Sequence, residues 1–78
     1  METTLKPNQK IIAGHRSGVQ SCDATSAYVF VDFENDGLAH YARMDFETKK
    51  VLSESKRSKA VAFVQEHFDE FESFCRTL

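Results

Sequence analysis

The chain is short, nearly balanced in charge, and carries an ordinary share of apolar residues. Its 78 residues fit one domain, and 41% of them are hydrophobic. Ten Lys and Arg residues stand against twelve Asp and Glu, for a formal charge of −2. This balance argues against a generic binder of polyanions, because such proteins carry a marked basic excess. No apolar run exceeds five residues, which excludes a membrane-spanning helix.

The cysteines and the first residues favour a cytoplasmic protein. Two cysteines, Cys22 and Cys75, are too few for a secreted disulfide scaffold, so we expect them to be reduced. A bridge between them would join the C-terminal helix to a strand, and the sequence leaves that alternative open. The N-terminus lacks the charged and apolar regions of a signal peptide.

The N-terminal third gives the weakest pattern. Residues 1–8 are polar and contain the only proline, which predicts a flexible tail before a single domain over residues 9–78. An apolar patch at residues 11–13 runs into a segment with two glycines, so we predict a loop over residues 14–18. Residues 19–22 are a candidate short strand.

The middle of the chain predicts a β-hairpin. Residues 27–34 are rich in β-branched and aromatic side chains, and residues 38–46 alternate in type. Asp36-Gly37, between them, is a favoured pair for a two-residue type I′ turn. That turn would place Val31 opposite Ala42 on an apolar face.

On the other face, the same turn would pair aromatic residues with charged ones. Phe30 would lie opposite Arg43, and Tyr28 opposite Asp45. Side chains alternate along a strand, so a shift by one residue would mix the two faces. We therefore favour the two-residue loop.

The C-terminal third predicts a helix. Val51-Leu52 would begin a third strand, and Ser55 or Ser58 would cap the helix that follows. Apolar residues spaced three and four apart form one helical stripe, comprising Val61, Val64, Phe68, Phe71, Cys75 and Leu78. We predict an α+β fold in which a small antiparallel meander of three to four strands packs on one C-terminal helix, in two layers.

One helix can cover only one face of the sheet, so the other face needs an explanation. The residues predicted there are Tyr28, Phe30, Tyr41 and Arg43. Cross-strand pairing could account for them, as could a cover formed by residues 9–22. A third interpretation is a binding surface, because aromatic and arginine side chains are enriched in interfaces.

The helix offers a second candidate surface. Phe63, His67 and Phe74 flank the stripe and widen its apolar sector to roughly 160°, more than one small sheet usually covers. Two interpretations fit them: they complete the core, or they border a surface for a partner or a second copy of the chain. Glu70 belongs to an acidic helix face that could dock a basic protein.

Basic residues cluster before and at the start of the predicted helix. They make up half of all the Lys and Arg residues, and they are Lys49, Lys50, Lys56, Arg57 and Lys59. Such a cluster can contact phosphates, although a solvated turn is the more common explanation.

The sequence contains no convincing catalytic or metal-binding set. The three histidines and two cysteines do not follow a zinc-site spacing, and the helical stripe makes Cys75 a core residue. A pair of Cys22 and His15 would lack an orienting third group. We therefore expect a protein that is not an enzyme and that has no catalytic residues, metal or cofactor.

These patterns favour a small non-catalytic module that binds another protein or itself. A regulatory subunit, an accessory factor, and a phage- or mobile-element-encoded inhibitor of a larger complex would all fit. The alternative hypothesis is a nucleic-acid-binding domain that uses the outer sheet face and the basic segment 49–59.

Overall fold

The chain folds into an open antiparallel sheet with two helical segments at its C-terminus. A computed structural model describes residues 6–35, 37–52 and 59–78. The elements in chain order are β1 (Gln9–Ile12), β2 (His15–Cys22), β3 (Ser26–Asp32), β4 (His40–Asp45), β5 (Lys50–Leu52), α1 (Lys59–Glu66) and α2 (Phe68–Arg76).

The predicted fold class is confirmed, with five strands in the meander instead of three to four. The strands lie in sequence order, and every neighbouring pair is antiparallel. The core lies between one face of the sheet and the helices, where Val29, Met44 and Phe71 are fully buried. Neither described helix has the length and apolar character needed to cross a bilayer.

The first hairpin corrects the predicted loop over residues 14–18. Ala13 and Gly14 form the turn with φ of +49° and +84°, the left-handed backbone that a type I′ turn requires. Ile12 and His15 pair directly across it, so β2 has already begun at His15. Of the two glycines, only Gly14 marks the turn.

Gly18 lies within β2 for a steric reason. A Cβ built on Gly18 would lie 2.4 Å from Cζ of Phe30 and 2.8 Å from the carbonyl oxygen of Asn8. Gly18 pairs with Phe30 in the register, and the phenyl ring occupies the space that a side chain would need. The glycine therefore makes room for the Phe30 ring on the sheet.

We predict that Gly18→Ala destabilises the protein by about 1–3 kcal/mol, because the new methyl group would displace the Phe30 ring. The free energy of unfolding in urea measures the loss. In a Phe30→Ala background the same substitution should cost less, since only the Asn8 carbonyl remains in the way. Equal losses in the two backgrounds would show that the ring is not the cause.

The second hairpin corrects the predicted register and its two-residue turn. β3 ends at Asp32 and β4 begins at His40, so the connection is longer than predicted. Val31 pairs with His40, two residues from its predicted partner. Because a shift of two residues leaves each side chain on its face, the predicted faces are right although the predicted pairs are wrong. Asp36, half of the predicted turn, lies outside the described residues.

The Asp32 carboxylate explains why this connection is wide. Asp32 is only 2% exposed, and its Oδ2 accepts hydrogen bonds from Arg16 at 2.7 Å and from the Gly37 backbone N–H at 3.1 Å. The loop bends so that its own backbone reaches the buried carboxylate. Asn35 and Gly37 supply the left-handed residues, with φ of +54° and +84°.

We predict that Asp32→Ala lowers the free energy of unfolding by about 2–4 kcal/mol, because it removes both bonds and leaves the half-buried Arg16 without its carboxylate. Arg16→Met should cost at least as much, since it leaves the carboxylate of Asp32, the more deeply buried partner, without its cation. Chemical denaturation of both variants measures the difference. A loss below about 0.5 kcal/mol for Asp32→Ala would contradict this role.

The helical region bends at His67, where the prediction had one straight helix. His67 has φ of −108° and ψ of 29°, yet its N–H still bonds to the Phe63 carbonyl at 3.0 Å. The bend lets Phe63 meet Phe33 while Phe68 meets Phe46, with ring centroids 5.4 and 6.5 Å apart.

The predicted stripe is right at its centre and wrong at its ends. Val64, Phe68, Phe71 and Cys75 are buried, as predicted. At the N-terminal end Ala60 is buried while Val61 is only half-buried, and at the C-terminal end Leu78 lies beyond α2 and is 54% exposed. The predicted caps Ser55 and Ser58 lie outside the described residues.

The chain just before β1 is bonded to the sheet. The side-chain amide of Asn8 donates to the Val19 carbonyl at 2.9 Å, and the Asn8 carbonyl accepts from the Val19 N–H at 3.0 Å. Lys6 and Gln9 close a turn through the Gln9 N–H at 2.9 Å. Of the predicted tail, residues 1–5 lie outside the described residues.

Candidate functional site

The outer sheet face, the side opposite the helices, carries an aromatic cluster. We call Tyr28, Phe30, Tyr41 and Arg43 the outer aromatic cluster; all four side chains are half-buried and come from β3 and β4. Their neighbours along each strand, such as Val29 and Ala42, are fully buried on the helix side. Side-chain alternation therefore places the whole cluster on one surface.

The members of the cluster contact one another closely. Tyr28 stacks on Tyr41 with ring centroids 5.1 Å apart and an interplanar angle of 18°. The Arg43 guanidinium lies 5.3 Å from the Tyr28 ring centroid, a cation–π distance, and Phe30 lies 5.9 Å from Tyr41. This packing half-buries the rings, and no element of the described part of the chain forms a second layer over them.

The structure decides between two of the earlier interpretations of this face. Residues 9–22 form β1 and β2 within the same sheet, beside the cluster, so they do not fold over it. The cross-strand pairs are Tyr28 with Arg43 and Phe30 with Tyr41. The predicted pairs, Tyr28 with Asp45 and Phe30 with Arg43, are therefore wrong. These contacts stabilise the sheet and still leave the outer side of the cluster facing solvent.

Sequence reasoning missed two exposed apolar residues on the same face as the cluster. Ile11 of β1 is 51% exposed and Leu52 of β5 is 56% exposed. Leu52 pairs with Arg43, a member of the cluster. Ile11 pairs with Arg16 and lies on β1, two strands away from the cluster strand β3. The sequence does contain a signal for Ile11. Adjacent residues in a strand face opposite sides of the sheet, so Ile11 and Ile12 cannot both face the core.

The charges on the outer sheet face largely compensate one another. Arg16 is paired with Asp32 at 2.7 Å, and Lys50 lies directly opposite Asp45 in the register. Arg43 lies over an aromatic ring. The face is therefore apolar and aromatic at its centre without a strong basic field.

The predicted helix residues lie on the other side of the molecule. Phe63 packs edge-on against Phe33 and His15, with centroids 5.4 Å away in each case, and contacts His67 at 4.7 Å. Phe63 thus closes one end of the core. The helix residues and the outer aromatic cluster are two separate groups.

The remaining helix candidates occupy the exposed border of the helical layer. His67 Nδ1 lies 4.0 Å from Oε1 of Glu70, which is itself about half exposed. Phe74 is half-buried against the core, with the Lys10 ammonium 5.9 Å from its ring centroid. Lys10 belongs to β1, so Phe74 marks where the helical layer meets that edge of the sheet.

The basic segment does not form one patch among the described residues. Lys49 bonds to Glu72 of α2 at 2.7 Å and lies over Phe68, on the helix side. Lys50 is exposed on β5, and Lys59 begins α1. The other two predicted contacts, Lys56 and Arg57, lie outside the described residues.

The ion pairs of Glu72 join α2 to the turn before β5. Its carboxylate accepts hydrogen bonds from Lys49 at 2.7 Å and from Arg76 at 2.7 Å. These two cations, Lys49 first, hold the pKa of Glu72 below its ordinary value. The charge of Lys49 is thus engaged within the fold.

The three histidines gather around two phenylalanine rings. His15 and His40 each lie edge-on to Phe33, with centroids 5.2 and 5.5 Å away, and His67 contacts Phe63. Within the described ranges 6–35, 37–52 and 59–78, no three His, Cys, Asp or Glu side chains are grouped so that they could hold a metal ion. The cluster closes the hairpin end of the core.

Both cysteines are free thiols, and they differ in exposure. Cys22 is exposed at the end of β2, whereas Cys75 is buried in the core. Burial, with a smaller contribution from nearby Cys22, raises the pKa of the Cys75 thiol from 9.0 to about 11. A buried neutral thiol is a poor nucleophile, so Cys75 acts as a small apolar side chain.

The raised pKa predicts a loss of stability in alkali. Between pH 9 and 11 the unfolded chain releases the Cys75 proton while the folded chain keeps it, so the contribution is complete below pH 9 and is lost as pH rises through 11. The free energy of unfolding should fall by about 2–3 kcal/mol from this source. Cys75→Ala, measured by denaturation at each pH, should lack this part of the decline. If the free energy of unfolding falls equally with pH in wild type and in Cys75→Ala, this prediction is wrong.

Comparisons of the chain with protein-family models, curated proteins and solved structures found no match.

Proposed function

We propose that this protein is a non-catalytic module that binds a protein partner through the outer sheet face. The observation that carries this proposal is the outer aromatic cluster: three packed rings and an arginine lie on the face opposite both described helices. Leu52 lies beside Arg43 of the cluster, and Ile11 adds a second exposed apolar side chain on β1 of the same face. Tyrosine and arginine in such a setting are the residue types that dominate interface energetics.

The arrangement of the rings favours a protein over single-stranded nucleic acid. Bases stack on aromatic faces, and the Tyr28 ring is already stacked against Tyr41 and lies beneath Arg43. The cations around it lie beside carboxylates, as in the pair of Arg16 and Asp32, which weakens attraction to phosphates. A flat protein surface can use such packed rings without separating them.

The nucleic-acid hypothesis remains the second candidate and draws its support from Lys50 and Arg43. Both residues lie on the outer sheet face, and Arg43 lies over the Tyr28 ring. Lys49, in contrast, is engaged with Glu72 on the helix side, so the basic segment adds little to that face.

We also propose a cytoplasmic setting, for which the two free thiols are the supporting observation. A regulatory subunit, an accessory factor, and a phage- or mobile-element-encoded inhibitor of a larger complex would all fit a surface of this kind. A homodimer would bury the same face against its own copy.

We predict that Tyr28→Ala and Leu52→Ser weaken partner binding by tenfold or more while the protein remains folded. Leu78→Ser is the matched control, because Leu78 and Leu52 are equally exposed, at 54% and 56%, and Leu78 lies beyond the last helix. Affinity purification from the native cell identifies the partner, and calorimetry with the purified partner measures each variant. Circular dichroism checks the fold.

Two outcomes would contradict the proposal. In the first, the partner binds the outer-face variants as tightly as it binds wild type. In the second, the protein retains single-stranded oligonucleotides at low salt, and Arg43→Ala or Lys50→Ala abolishes that retention.

A further inference from the structure

The two edges of the sheet differ in how far their backbone groups are protected. β1 and β5 are the edge strands, and an edge strand presents backbone N–H and C=O groups that can pair with another strand. Natural sheets usually protect such edges with a helix, a charge or a very short strand. The described residues show protection at one edge and an accessible backbone at the other.

Gln65 of α1 closes the β5 edge. Its side-chain Oε1 accepts a hydrogen bond from the Val51 N–H at 3.1 Å, and its Nε2 donates to the Lys49 carbonyl at 3.1 Å. The amide thus makes the two bonds that the backbone of an adjacent strand would make. No additional strand can pair with these groups of β5 unless α1 moves.

At the β1 edge the register shows which backbone groups face away from the sheet. The Asn8 carbonyl bonds to the Val19 N–H, so Asn8 is a hydrogen-bonded position of the antiparallel ladder. Such positions alternate, so Lys10 and Ile12 also bond to β2, while Ile11 directs its N–H and C=O outward. Within the described residues no hydrogen bond occupies these two Ile11 groups.

The side chains beside this open position indicate what a partner strand would carry. Ile11 offers a half-exposed apolar side chain on the outer sheet face. On the helix side, Lys10 holds its ammonium over Phe74, and no described carboxylate pairs with it. A strand lying along β1 would therefore contact Ile11 with one side chain and Lys10 with the adjacent one.

We propose that an extended segment of the partner protein adds a sixth strand along β1, with an apolar residue beside Ile11 and an acidic residue beside Lys10. This rests on the proposed function and names the conformation and chemistry of the segment that binds. Backbone hydrogen bonds would supply affinity, and the alternating apolar and acidic side chains would supply specificity. The strand would continue the outer sheet face beyond β1.

Ile11→Pro tests the proposal directly. Proline removes the outward N–H of Ile11 but none of the bonds between β1 and β2, so the fold should persist. Ile11→Thr is the matched control, because it keeps the N–H and the β-branched shape. The probe is a phage-displayed library of random octapeptides, panned on the intact protein, with the affinity of selected peptides measured by fluorescence polarisation.

We expect selected peptides to alternate apolar and acidic residues and to bind Ile11→Pro at least tenfold more weakly than Ile11→Thr. Lys10→Glu should weaken the acidic peptides as well. N-methylation along a selected peptide should reduce binding only at alternate positions, which is the signature of strand pairing. This scan needs no protein variant, so it remains decisive if Ile11→Pro fails to fold.

Several results would overturn the proposal. They are a library that yields no binder, binding that is equal in Ile11→Pro and wild type, and N-methyl effects without alternation. A wild-type dimer that Ile11→Pro dissociates would identify a second copy as the occupant and would also overturn it. If Leu52→Ser weakens partner binding and Ile11→Pro does not, the proposed function stands and only strand addition fails.

Discussion

The alternation of side chains across β3 and β4 is the constraint on which the rest of this structure depends. Val29 and Val31 point to the helices because they lie two positions apart in a strand, and Phe30 between them must point away. Burial of the valines fixes the orientation of the strand, since each large apolar side chain removed from water contributes about 1.5–3 kcal/mol. The outer aromatic cluster is thus a geometric consequence of the core.

This constraint explains why the faces could be predicted from the sequence while the pairing could not. Alternation shows which side a residue occupies, but registers that differ by two residues keep the same sides. The choice between them depended on Asp32, whose buried carboxylate bonds to Arg16 and to the Gly37 backbone and so widens the loop. Nothing in the hairpin sequence showed that Arg16, from another strand, would meet this carboxylate.

Long-range packing also accounts for what the N-terminal prediction missed. Gly18 has the composition of a turn residue, and only the Phe30 ring above it explains a glycine within a strand. Similarly, the bend at His67 occurs without proline or glycine, because Phe63 and Phe68 must reach different parts of a twisted sheet. Local patterns were sufficient to predict the β5 strand and the centre of the helical stripe. In both segments, residues that are close in sequence are also close in space.

The described residues cover one face and one edge of the five-stranded sheet. The described helices are placed on one face, and the Gln65 amide extends their protection to the β5 edge. The rings on the outer face pack on one another and on Gly18, which limits the apolar area left in water. Each of these rings is packed against a neighbour and is still half-exposed. In the proposed complex, binding a partner would therefore immobilise few additional rotamers on this face, which would lower the entropic cost of recognition.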